Sequence, residues 1–106
     1  MLFIWGPHVF WRMRQFYVYL LTNRRHTVIY TGVTNDLARR LFQHREGEGG
    51  RFTRKYQIHK LVYFEVFADS YNAISREKQI KAGSRARKER LISASNPDWR
   101  ELLPGE

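Results

Sequence analysis

Residues 16–22 and 27–32 are short runs of aromatic and β-branched side chains, separated by the polar break Asn23-Arg24-Arg25-His26. That pattern predicts two strands joined as a hairpin. A loop centred on Arg24-Arg25 places Tyr19 directly opposite Tyr30 on one face. Gly32 closes the second run, and Thr34 or Asn35 is placed to cap a helix over residues 35–44. Leu37 and Leu41 form its buried stripe, and Arg40 and His44, one turn apart, flank the stripe and lean toward the tyrosines. Residues 61–67 read as a third strand, apolar or aromatic except at Glu65, which fits the central position of a small sheet. Asp69 or Ser70 caps a helix to about Ala82, and Gly83-Ser84 ends it and opens another that runs through Leu91-Ile92 and stops at Asn96-Pro97.

One position breaks the polar and apolar pattern of the 70–82 helix. Glu77 shares a stripe with Ala73, Ile74 and Ile80, where an unpaired carboxylate costs on the order of several kcal/mol. Two solutions exist: an ion pair with Lys81 or an arginine, or a divalent cation completed by water and phosphate oxygens.

Between the second strand and the third, Gly47-Glu48-Gly49-Gly50 predicts a flexible loop. The following Arg51-Phe52-Thr53-Arg54-Lys55-Tyr56 interleaves cations with aromatics, which suits a phosphate backbone and exposed bases, or else a basic surface loop with Phe52 tucked inward. The glycines do not form a phosphate-binding P-loop, because no Lys-Ser/Thr pair follows them.

A length of 106 residues allows one domain with a single core. Absence of cysteine excludes disulfides, thiolate metal sites and cysteine nucleophiles, and agrees with a cytoplasmic setting. The formal net charge of +9 points to a polyanionic partner, nucleic acid being the commonest. Residues 1–15 are apolar but broken by Gly6-Pro7, Arg12 and Arg14, so they match neither a membrane span nor a signal peptide. They read as a tail, with Met13 an alternative start, ahead of a domain over residues 16–103.

The ordered set of these features resembles the GIY-YIG nuclease superfamily, in particular its small stand-alone bacterial branch. Tyr17-Val18-Tyr19 stands where that family has Gly-Ile-Tyr, and Tyr30-Thr31-Gly32 where it has Tyr-Ile-Gly. Arg40 resembles the family's helix arginine, His44 the His or Tyr one turn later, and Glu77, within Ser75-Arg76-Glu77-Lys78-Gln79-Ile80-Lys81, its metal-binding glutamate. Residues 62–65 and Asn96-Pro97-Asp98-Trp99 also look like the small-member pattern. One departure is visible: the asparagine that several relatives carry about twelve residues beyond the glutamate is replaced by Glu89, and Asn96 comes too late to stand for it.

The resemblance implies an α/β (α+β) fold, a three-stranded, largely antiparallel sheet flanked by helices. It implies a metal-dependent endonuclease hydrolysing phosphodiester bonds in DNA with one Mg²⁺ or Mn²⁺ held by Glu77. Tyr30 takes or relays the proton of an attacking water, and Tyr19 holds the water or a phosphate oxygen. Arg40 stabilises charge developing on the phosphoryl oxygens, and His44 orients the phosphate or protonates the leaving oxygen. Arg39, Arg51, Arg54 and Lys55 are the expected nucleic-acid contacts. The alternative is a binding module of the same fold that holds nucleic acid without cutting it.

Overall fold

The computed structural model describes residues 15–103. The predicted tail, save Gln15, and the alternative start at Met13 lie outside the described residues. The chain folds in the order β1 (Phe16–Thr22), β2 (Ile29–Thr34), α1 (Leu37–Arg45), α2 (Arg51–Lys55), β3 (Lys60–Phe67), α3 (Ser70–Ala82) and α4 (Arg85–Ser95). The strands form one antiparallel sheet in the order β2-β1-β3.

The central strand is therefore β1 and not β3, as the near-continuous apolar character of residues 61–67 had suggested. Five consecutive β1 residues, Val18 to Thr22, are buried, whereas β3 loses its burial after Val62. A central strand is covered on both faces, so its residues are buried at both parities. Val18 and Leu20 pack with Val62 against Ala73, Ile80 and Ile92 of α3 and α4. On the other face Tyr19, Leu21 and Leu61 pack with Leu37 and Leu41 of α1 and with Ile58. Each buried valine, leucine or isoleucine side chain contributes about 1.5–3 kcal/mol by leaving water.

The hairpin register differs from the expected one by two residues: Tyr19 pairs with Gly32, and Tyr30 pairs with Leu21. The cause lies in the connection. Asn23 folds its side chain under the turn, where Oδ1 accepts from the backbone N–H groups of Thr27 (2.8 Å) and Val28 (3.2 Å), and His26 takes a left-handed φ of 58°. Thr27 and Val28 are thereby used as loop, and β2 begins at Ile29. Arg85 of α4 closes the turn from outside by donating to the carbonyls of His26 (2.6 Å) and Thr27 (2.8 Å).

Helix starts follow the capping logic. Asp36 Oδ1 accepts from Arg39 N (3.1 Å), so Asp36, rather than Thr34 or Asn35, caps α1. Asp69 caps α3 and Ser84 caps α4 in the same way. Residues 51–55, expected as part of a loop, make one short helix anchored by buried Thr53. Phe52 points outward and is half exposed.

Candidate active site

The sheet, α1 and α3 converge on a polar cleft of about 470 Å³. Its lining includes Tyr30, Gly32 and Thr34 from one face of β2 and Thr31 and Val33 from the other. Both parities of an edge strand can line one cleft only if the cleft wraps the free edge of the sheet. That geometry lets α1, on the Tyr19 face, and α3, on the Val18 face, contribute to the same space: Asp36, Arg39, Arg40 and Gln43 from the start and body of α1, Glu77 and Lys81 from α3.

Tyr19 forms the inner wall and is only 1% exposed. Its phenolic oxygen accepts a hydrogen bond from Arg40 Nε (3.4 Å) and lies 3.3 Å from His44 Nε2. Tyr30 is its diagonal neighbour across the hairpin, with ring centroids 6.4 Å apart, and His44 stands 5.5 Å from the Tyr30 ring. The two tyrosines share a face, though not by direct opposition. Burial raises the Tyr19 phenol above its ordinary value, against the lowering effect of the Arg40 hydrogen bond, while Tyr30 and Glu77 push it further up. Tyr19 therefore keeps its proton at neutral pH.

Close packing at this wall explains two glycines. A Cβ on Gly32 would stand 2.4 Å from Tyr19 Cζ, and one on Gly49 would stand 2.1 Å from His44 Nδ1. The tyrosine ring crosses bare backbone at Gly32, and the histidine ring rests on bare backbone at Gly49. The glycine segment expected as a flexible loop is thus fitted to the site. Arg40 Nη2 donates to the Gly49 carbonyl at 3.2 Å, and Arg40 Nη1 donates to Gln43 Oε1 at 3.1 Å.

His44 is 3% exposed and is absent from the lining of the cleft. Burial, with help from the nearby charges of Arg40 and His59, pulls its pKa down from 6.5 to about 4. The ring is neutral at physiological pH, which disfavours a role as proton donor to a leaving oxygen. Its Nδ1 is buried with no hydrogen-bond partner. An unpaired lone pair costs less than an unpaired N–H, so the proton sits on Nε2, which donates to Tyr19. With Arg40 and His44 both donating to the phenolic oxygen, the Tyr19 O–H is left to point into the cleft.

Glu77 shares its stripe with buried Ala73 and Ile80, while Ile74, expected on that stripe, is exposed. The Glu77 side chain is 13% exposed, and its Oε2 is 3.5 Å from Lys81 Nζ. Long and to a mostly exposed lysine, that contact compensates burial weakly and leaves the carboxylate available to a cation. A mostly hydrated Mg²⁺ or Mn²⁺, which needs one or two carboxylates plus water and phosphate, fits this donor set. Asp36, which sequence reasoning missed, is the second carboxylate of the cleft. Its signal was the Asp-Leu step that opens the apolar stripe of α1. Among the described residues no cluster of three or more metal-ligating side chains occurs.

Other expected residues lie elsewhere. Arg39 lines the cleft, whereas Arg51, Arg54 and Lys55 are exposed on α2 outside its lining. Glu65 is chelated by Arg76, at 3.0 Å from Nε and 2.9 Å from Nη2. These bonds and one from Tyr63 outweigh burial and hold its carboxyl below the usual range. Glu89 pairs with Arg85 at 2.7 Å. Asn96 is buried, donating to the carbonyls of Val62 and Arg100, and so serves the fold.

Known proteins resemble this chain in sequence and in fold. The chain is 43% identical over 77 residues to a UPF0213 protein of Natronomonas pharaonis, covering 73% of this chain and 89% of that one. It is 42% identical over 80 residues to a UPF0213 protein of Clostridium perfringens, covering 76% and 85%. The solution NMR structure of the UPF0213 protein BH0048 from Bacillus halodurans is similar with a TM-score of 0.53 and 32% identity, covering 82% of this chain and 92% of that one. Residues 15–90 match the GIY-YIG catalytic domain, and the chain belongs to the GIY-YIG family.

Proposed function

We propose that the chain is a divalent-metal-dependent endonuclease that hydrolyses phosphodiester bonds in DNA. The observation that carries this reading is the convergence of Arg40 and neutral His44 on the Tyr19 oxygen, at the wall of a cleft that also presents Tyr30 and Glu77. Arg39, Arg40 and Lys81 outnumber Asp36 and Glu77 in the lining, a balance that favours a phosphodiester.

Glu77 would hold the Mg²⁺ or Mn²⁺, with Asp36 the only other carboxylate lining the cleft among the described residues. When bound, that ion polarises a phosphate oxygen and lowers the pKa of nearby oxygen acids. Tyr30 accepts or relays the proton of the attacking water. Tyr19, its oxygen fixed by two donors, turns its O–H toward that water or toward a phosphate oxygen. Arg40, already oriented by Gln43 and Gly49, stabilises negative charge on the phosphoryl group without reorganising. His44 fixes the Tyr19 oxygen from behind and acts as a positioning residue.

The ion pair of Glu89 with Arg85, where several relatives carry asparagine, favours a second reading: a module that binds DNA without cutting it. Incubation with duplex, single-stranded, nicked, flap and branched DNA, in Mg²⁺, Mn²⁺ or EDTA, separates the two. Metal-dependent products support the endonuclease, and tight binding with no product on any substrate supports the module.

A further inference from the structure

We infer that α2 carries a stacking platform for unpaired bases, so that the substrate engaged beside the cleft is a single strand. This rests on the nuclease reading for its place but not for its evidence. Phe52 and Tyr56 stand one helical turn apart with ring centroids 5.0 Å from each other, and they are 52% and 42% exposed. The core does not need them: inward packing of this segment is supplied by Thr53 and Ile58, both buried. Two large rings left half in water, one on a five-residue helix and one at its C-cap, are a cost unless something covers them.

The surroundings specify the chemistry of what covers them. Arg51, Arg54 and Lys55 alternate with the rings, and Lys55 Nζ lies 5.3 Å from the Tyr56 centroid. Cations between exposed aromatic faces form the combination that holds a nucleic-acid backbone while its bases stack. A protein partner matched to the rings would have to be acidic and apolar together, whereas a single strand offers phosphates and flat faces in regular alternation. Duplex DNA cannot use the platform, because its base faces are already stacked on each other.

The platform is also tied through the chain to a residue of the cleft. The Gly49 carbonyl accepts from Arg40, and Phe52 follows three residues later, at most about 10 Å away along the chain. That distance is about three nucleotides of stacked strand. Phe42, 59% exposed, lies one turn beyond cleft-lining Arg39 on α1 and beside cleft-lining Gln43.

The test is binding in EDTA, measured by fluorescence anisotropy, with three probes of equal length: oligo-dT, an abasic strand, and a duplex. Wild-type protein should prefer oligo-dT over the abasic strand by about tenfold for each stacked base. The double variant Phe52→Ala/Tyr56→Ala should lose that preference while keeping abasic and duplex affinity and the salt slope. Phe52→Trp/Tyr56→Phe should restore it. Wild-type indifference to removal of the bases, absence of single-strand binding, or equal loss on all three probes would overturn the inference. The experiment contains no metal and no cutting, so failure of the nuclease panel and failure of the platform are separate results.

Discussion

The ring of Tyr19 lies across Gly32, its cross-strand partner, so closely that the space for a Cβ at Gly32 is occupied by the phenol. Glycine is required here by volume, in ordinary extended strand, and not by backbone conformation. Gly32→Ala should destabilise the protein by about 1–3 kcal/mol, the usual cost of overpacking, and should displace the Tyr19 oxygen from Arg40 and His44. In urea unfolding, Tyr19→Ala should cost less in the Gly32→Ala background than alone. Additive costs would show that the ring and the glycine do not compete for space.

A titration follows from His44. Its folded pKa, about 4, lies below the ordinary 6.5, so between those values the unfolded chain binds the extra proton. Stability from this group is fully present above about pH 6.5 and declines as pH falls toward 4. Comparing urea midpoints of wild type and His44→Phe across pH 4–7 cancels the contribution of other groups. The variant should be less stable at pH 7 and show the shallower decline; parallel curves would mean that the imidazole is not held neutral.

The two tyrosines should respond differently to loss of a hydroxyl. Tyr19→Phe leaves Arg40 Nε and His44 Nε2 without their shared buried acceptor, and should cost about 1–2 kcal/mol of stability. Tyr30→Phe, at a half-buried ring, should leave stability and DNA affinity near wild type and reduce cutting at least about a hundredfold. Cleavage by Tyr30→Phe at the wild-type rate would remove Tyr30 from the mechanism.

Glu77→Gln should abolish metal-dependent cutting and leave DNA binding equal or tighter, since a negative charge facing phosphate is gone. Loss of the ion pair to Lys81 should change stability by less than about 1 kcal/mol. Were that variant to cleave with normal metal dependence, Asp36 would be the carboxylate to replace next, because Arg76 already occupies Glu65.

Removing the α2 cations probes the electrostatic part of binding. Neutralising Arg51, Arg54 and Lys55 together should lower the slope of log affinity against log salt by up to about three units, if each contacts a phosphate. A slope unchanged between low and moderate salt would put the backbone on another surface.

Much of this arrangement was legible because the informative residues obey periodicity. Tyr19 and Tyr30 fall on one side of their strands whichever even register is chosen, and Glu77 falls on the stripe of Ala73 and Ile80 by helical spacing alone. What escaped depended on contacts remote in sequence. The place of β1 at the centre is set by β3 arriving on its far side, and an apolar run does not say which strand receives two neighbours. His44 could be placed near the tyrosines by spacing, but its neutrality comes from enclosure by Tyr19, Tyr30 and Gly49, which no local pattern encodes. Asp36 is hidden in the sequence because Thr34 and Asn35, just before it, are equally able to cap the same helix.

The hairpin register has a consequence for how the chain reaches its fold. A pairing slid by two residues keeps every side chain on its own side of the sheet, so hydrophobic burial alone gives a folding chain little reason to reject it. In the slid pairing Tyr19 meets Tyr30 and the notch at Gly32 falls opposite Tyr17; in the native pairing the notch receives the one ring whose oxygen Arg40 and His44 await. The same glycine that makes room for the site thus acts as a proofreader of strand alignment, and an error at this step is detected by the very residues that the error would disable.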